Sequence, residues 1–115
     1  NLSYFYSASE VAYNQAPTNH VIRLGGMVVD GSLKRGEGLT VHFEVTDNAS
    51  KVNVQYTGIL PDLFAEGQGV IAQGKLNSNG VFVADEVLAK HDETYMPPEV
   101  AESMKPAKTT EGKTP

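Results

Sequence analysis

The sequence has no cysteine and no tryptophan in 115 residues. Without cysteine there is no disulfide framework, no thiolate metal ligand and no thiol nucleophile. That absence leaves the compartment open. Basic residues are also scarce, nine Lys and Arg against fourteen Asp and Glu, for a net charge of −5. Proteins that grip nucleic acid draw most of their affinity from Lys and Arg neutralising phosphates, so nucleic acid is not an expected partner. No run approaches the 18 or so apolar residues that a membrane-spanning helix needs. The chain starts at Asn1 rather than methionine. We read that as a trimmed or processed chain, with room for a signal or anchor upstream.

What is present is ordinary for one compact domain: 40% hydrophobic and 20% charged residues, enough for a modest core. Ser7-Ala8-Ser9-Glu10 has the form of a capping box and predicts a short helix through Val11-Ala12-Tyr13. The segment Gln15 to Asn19, with Pro17 inside it, ends that helix. Five strand-like runs follow. Val21 to Leu24 leads through Gly25-Gly26 into Met27-Val28-Val29, where paired glycines suggest a bulge or sharp bend. Leu39, Val41, Phe43 and Val45 alternate with polar residues, as do Val52, Val54 and Tyr56. Val70-Ile71-Ala72 ends at Gly74. Val81 to Leu88 forms the last run, reached through Asn77-Ser78-Asn79-Gly80, a hairpin signal. Pro61 and Gly67 bracket an expected short helix between the third and fourth runs. Five strands in this layout predict an all-β fold, a five-stranded OB-type Greek-key barrel. Residues 1–95 are read as the domain and 96–115, rich in Pro, Lys, Thr and Glu, as a flexible tail.

Several motifs carry less than they promise. Gly67-Gln68-Gly69-Val70-Ile71-Ala72 fits G-x-G-x-x-A, but that fingerprint needs a helix after it and a β-branched run follows instead. His20, His42 and His91 lack the close spacing of a designed zinc site. His42 falls on the polar face of its strand and His20 in a loop. No G-x-S-x-G elbow or comparable setting activates a nucleophile.

The segment Leu88-Ala89-Lys90-His91-Asp92-Glu93-Thr94-Tyr95-Met96-Pro97 stands where the core pattern stops. Composition alone favours a solvated exit carrying a chance histidine and tyrosine. The chemical alternative is a single site at the barrel rim. A neutral imidazole is both nucleophile and ligand, a phenolic oxygen ligates iron, and Lys90 offers a partner for a carboxylate. Four extended residues span about 13 Å, so His91 and Tyr95 serve one site only if the segment bends.

Here the sequence closely resembles the cytochrome c maturation protein E family of periplasmic haem chaperones. The likeness includes Arg23-Leu24-Gly25-Gly26-Met27-Val28 with Gly31-Ser32, and Phe43-Glu44-Val45-Thr46-Asp47. It continues in Tyr56 to Phe64 and in Glu66-Gly67-Gln68-Gly69-Val70. It is nearly residue for residue from Glu86 to Val100, and extends over about residues 2–101. The resemblance implies an OB-type barrel with a flexible tail, and a transient haem carrier rather than an enzyme. It implies that His91 bonds covalently to a haem vinyl group and that Tyr95 is an axial ligand of the haem iron. The implied partners are a membrane complex that delivers haem, a haem lyase complex, and apocytochrome c with its C-x-x-C-H motifs. An N-terminal anchor, absent from this chain, would hold the protein on the periplasmic side of the bacterial inner membrane. Nothing in the sequence requires more than a monomer. For the apolar wall against the haem we look to Leu88, Phe82 and Met96. The alternatives are an OB module for single-stranded nucleic acid or oligosaccharide, and an interaction domain docking through Tyr4-Phe5-Tyr6.

Overall fold

The structure, a computed structural model, describes residues 4–89. The expected domain boundary at residue 95 and the tail lie outside that range. Eight elements follow in order: β1 (Phe5–Tyr6), α1 (Ala8–Ala12), β2 (Val21–Val28), β3 (Lys34–Arg35), β4 (Thr40–Thr46), β5 (Lys51–Thr57), β6 (Gly69–Leu76) and β7 (Val81–Ala89).

The five runs expected from the sequence are β2, β4, β5, β6 and β7. They pair in the order β2-β6-β7-β5-β4, and β4 returns to β2 through Met27↔Thr46 and Val28↔Val45. That last pairing closes the barrel. Every pairing within it is antiparallel except β5 with β7. Because side chains alternate along a strand, one face of each fills the barrel. Ile22, Leu24 and Val28 of β2 are buried with Val41, Phe43 and Val45 of β4, Val54 of β5, and Phe82 of β7. Leu39 breaks the expected alternation: it lies just before β4 and is exposed.

Two plugs close the ends. At one end α1 lays Ala8 and Val11 into the core. Its capping box forms as expected: the Glu10 amide donates to Ser7 Oγ at 3.1 Å and the Ser7 amide to Glu10 Oε1 at 2.8 Å. Asp47, in the β4–β5 turn, ties this helix down. Its buried carboxylate accepts from the amides of Ser9, Ala49 and Ser50, each at 3.0 Å. Since β5 runs away from that turn, the loop after Thr57 lies at the opposite end. There Phe64 meets Phe43 edge to face, with ring centroids 4.9 Å apart, and Leu60 packs beside it.

The helix expected between Leu60 and Gly67 does not form. The Phe64 amide donates to the Pro61 carbonyl and the Gln68 amide to Ala65, giving two separate turns. A segment this short cannot offset helix nucleation on its own. Its anchor points, Phe64 packed against the core and Glu66 on the Leu33 amide, instead hold it as a loop.

The bulge also falls elsewhere than expected. β2 runs through Gly25-Gly26 in unbroken register against β6. Gly26 serves close approach instead: a Cβ there would sit 2.6 Å from the Thr46 carbonyl oxygen, on the strand that closes the barrel. The register shift lies between β6 and β7, where Gln73 faces Glu86 and Gly74 faces Ala84, leaving Asp85 as the extra residue. A Cβ on Gly74 would run into the Val83 carbonyl, so the bulge needs glycine opposite it.

Two kinds of outcome are expected, the first for glycine substitutions. Gly74→Ala should destabilise the fold by about 1–3 kcal/mol in urea unfolding, as overpacking against backbone does. Gly80→Asn, at φ +82° with open space around it, should stay within about 1 kcal/mol of wild type. The second concerns acid. Burial pushes the Asp47 carboxyl up, but the hydrogen bonds from Ser9, Ser50 and Ala49 outweigh it and hold the group below its ordinary 3.8. A carboxyl lowered by folding stabilises the protein above its ordinary value, and that contribution is lost as pH falls through the folded value. Urea unfolding between pH 7 and pH 2.5 should therefore show a loss of stability below about pH 4 that Asp47→Asn removes.

Candidate functional site

His91 and Tyr95, together with Lys90 and Met96, lie outside the described residues. The structure describes the strand that leads to them and the surface around its end. β7 runs parallel to β5, so it leaves the barrel at the end plugged by Phe64. Its last residue, Ala89, pairs with Val70.

The bulge decides what this strand shows to solvent. Phe82 and Ala84 point inward; after the extra residue Asp85, the inward positions are Val87 and Ala89. Without the bulge the alternation would carry Leu88 into the core. With it Leu88 turns outward and is 41% exposed. Phe82, expected in the apolar wall, is 0% exposed and belongs to the core. Of the two, Leu88 is at the surface and Phe82 is not.

Register places Leu88 in a row with Ile71 and Gly25 across β7, β6 and β2. Ile71 faces the outer side of β6 yet is only 6% exposed. Gly25 adds no side chain, so the row is a low shelf. One flank of it is the next row, Arg23, Gln73 and Glu86, with Gln73 Nε2 3.5 Å from Asp85 Oδ1. β1 extends this flank: Phe5 pairs with Arg23, and the guanidinium carbon lies 4.2 Å from the Phe5 ring centroid. Met27, half-buried, marks the other flank. Of this row Leu88 alone is exposed, while Ile71 and Gly25 are buried.

Sequence reasoning found Leu88 but missed Ile71, Gly25 and Phe5. The signal for Ile71 was there, since three successive apolar residues in Val70-Ile71-Ala72 mean that one apolar side chain faces outward. Phe5 was weighed only as part of an exposed aromatic cluster. The structure divides that cluster, with Tyr6 against the core, Phe5 beneath Arg23 and Tyr4 exposed.

The other candidates fall as their residue types indicated. His42 is exposed on β4, and His20 lies in a loop with Nδ1 2.9 Å from the Thr18 carbonyl oxygen. Among the described residues no three His, Asp or Glu side chains converge as a metal site. The Gly67-Gln68-Gly69 motif leads into β6 and not a helix. Among the described residues no helix is long and apolar enough to cross a membrane. At the rim, Glu66 joins two loops by accepting from the Leu33 amide at 2.9 Å. Hydrogen bonds from the Leu33 and Gly31 amides hold its carboxyl below its ordinary 4.5.

A closed five-stranded barrel of this topology defines an OB-fold domain. The CcmE domain model matches residues 2–98. The cytochrome c-type biogenesis protein CcmE of Marinobacter nauticus is 62% identical over 105 residues, covering 90% of this chain and 66% of that protein. Its counterpart in Nitrosomonas europaea is 57% identical over 108 residues, covering 93% of this chain and 72% of that protein. Among solved structures, the OB-fold domain of the haem chaperone CcmE from Desulfovibrio vulgaris superposes with a TM-score of 0.57 at 30% identity, covering 66% of this chain and 92% of that one. The chain belongs to the CcmE family. It spans about two thirds of the length of the first of these relatives.

Protonation of Glu66 should loosen the rim. The Leu33 amide should titrate with a midpoint below 4.5 in a proton NMR pH series, and Glu66→Ala should abolish that titration. At pH 7 the same substitution should speed Leu33 amide exchange about tenfold, as loss of one charge-assisted hydrogen bond does.

Proposed function

We propose that this chain is the haem-carrying domain of a cytochrome c maturation protein. Haem is its cargo. It arrives from a haem-delivery membrane complex, is held through a covalent bond between His91 and a vinyl group with Tyr95 as axial iron ligand, and passes to apocytochrome c at a haem lyase complex. The working place is the periplasmic side of the bacterial inner membrane, with an anchor ahead of Asn1 keeping the domain there. The role is that of a carrier and not of an enzyme.

The observation that carries this reading is the outward turn of Leu88 beside Ile71 and Gly25, on the strand that ends two residues before His91. Two residues span at most about 7 Å, so an imidazole at position 91 works within reach of the shelf. Family membership and the haem chaperone among the solved relatives support the same cargo. The shelf fits the chemistry. A porphyrin is flat and apolar, and the exposed Leu88 side chain offers it apolar contact. A single exposed leucine holds such a cargo weakly by contact alone. Retention then falls to the covalent bond, and release to breaking it.

Expression of the anchored protein with its maturation machinery, followed by denaturing intact mass spectrometry, tests the assignment. Wild type should carry one haem that survives denaturation, and His91→Ala none. Tyr95→Phe should keep the mass and change the visible spectrum. Leu88→Glu should weaken haemin binding to the purified chain at least about tenfold, from the loss of a buried leucine contact. A wild-type protein free of covalent haem beside active machinery would refute the reading.

A further inference from the structure

The turn between β6 and β7 contains a chemically labile step. Of the seven asparagines in the chain, Asn79 alone is followed by glycine. An asparagine is labile when the next backbone nitrogen reaches its carboxamide carbon, and a following glycine has no Cβ to hinder that approach. Asn79 and Gly80 are both exposed, so water has access to them. Two requirements for deamidation, an unhindered neighbour and solvent, are therefore met on the hairpin that carries Ile71 and Leu88.

The turn denies the third, a free nucleophile. The attacking atom is the Gly80 nitrogen, and its N–H donates to the Asn77 carbonyl at 3.1 Å. The side chain of the same residue holds both neighbours: Asn77 Oδ1 accepts from the Asn79 amide and from the Val81 amide, each at 2.9 Å. Three successive amides thus end on Asn77. Its own amide donates to the Val81 carbonyl at 2.9 Å and closes the turn. While these bonds hold, the Gly80 proton is shielded from base and the main chain on either side of Asn79 is fixed, so the nitrogen cannot turn towards Cγ.

We propose that Asn79-Gly80 is a site of deamidation and that Asn77 guards it. The reaction runs when the turn opens. Solvent base removes the Gly80 N–H proton, the nitrogen bonds to Asn79 Cγ, and the carboxamide nitrogen leaves as ammonia. Water then opens the cyclic imide at one of its two carbonyls, leaving aspartate or isoaspartate at position 79. Water is the only co-reactant, and nothing is oxidised or reduced. Isoaspartate lengthens the main chain inside the turn that sets Leu76 opposite Phe82 and, further along the hairpin, Ile71 opposite Leu88. The guard therefore protects a pairing register as well as one side chain.

The test is incubation at mildly alkaline pH followed by peptide mapping in a mass spectrometer, with aspartate and isoaspartate resolved at position 79. Folded wild type should convert at least about tenfold more slowly than the same chain in guanidinium chloride. Asn77→Ala, shown by urea unfolding to be folded, should convert about tenfold faster than folded wild type, from loss of two amide hydrogen bonds. Asn77→Asp keeps the accepting oxygen and should stay near the wild-type rate. Gly80→Asn should slow conversion in guanidinium chloride, because its side chain hinders the attacking nitrogen. Equal rates for folded and unfolded wild type, or a folded Asn77→Ala chain no faster than wild type, would overturn the guard. Conversion unchanged by Gly80→Asn would overturn the assignment of the nucleophile.

Discussion

One extra residue in β7 governs the outer surface of this barrel. Strand side chains alternate with a strict period of two, so inserting Asp85 exchanges inside and outside for every residue after it. Val87 then closes the core where Glu86 would have stood, and Leu88 turns to solvent. The insertion is tolerated because Gly74 lets the backbone at Val83 and Ala84 come close. A single glycine therefore determines which face of the last strand is apolar beyond the bulge. The shelf at the mouth of the barrel follows from it.

The remainder of the fold keeps that strand in place. Two unlike plugs, a capped helix and an aromatic loop, close opposite ends of the core. Each is tied to a distant turn by one carboxylate accepting from backbone amides, Asp47 at the helix end and Glu66 at the loop end. Both carboxyls are held below their ordinary values by those bonds, so acid acts on both ends in the same direction.

Much of this was legible in the residues themselves. The strict alternation of Val41, Phe43 and Val45, the hairpin residues before Val81 and the Ser7–Glu10 box each match an element, because each is a local rule that tertiary contacts reinforce. The helix expected at Leu60 to Gly67 failed for the converse reason. Its bracketing proline and glycine suit a helix, but Phe64 and Glu66 are recruited by distant partners. The bulge was assigned to the wrong glycines: Gly25 and Gly26 sit in regular register, whereas Gly74 opposes the true bulge. Asp85-Glu86 followed by Val87-Leu88 did record the change of phase, but from sequence alone it reads equally as a strand end. Phe82 was named for the apolar wall without a facing, which the phase of the strand decides, and it lies in the core. His91 and Tyr95 came from the family resemblance and lie outside the described residues, while the surface at the end of β7 came from register.

The shelf also has a history in the folding of the chain. β4 with β5 and β6 with β7 are joined by short turns and form local hairpins, which assemble quickly. β2 must find β6 and β4 from far along the chain, a slower and more costly closure. Leu88 and Ile71 belong to one hairpin, but Gly25, Arg23 and Phe5 arrive only with β2. The shelf is therefore completed by the least local pairing. On the proposed carrier role, a chain caught part-way through folding would lack a finished surface for haem, and topology alone would withhold a redox-active cargo from immature carriers.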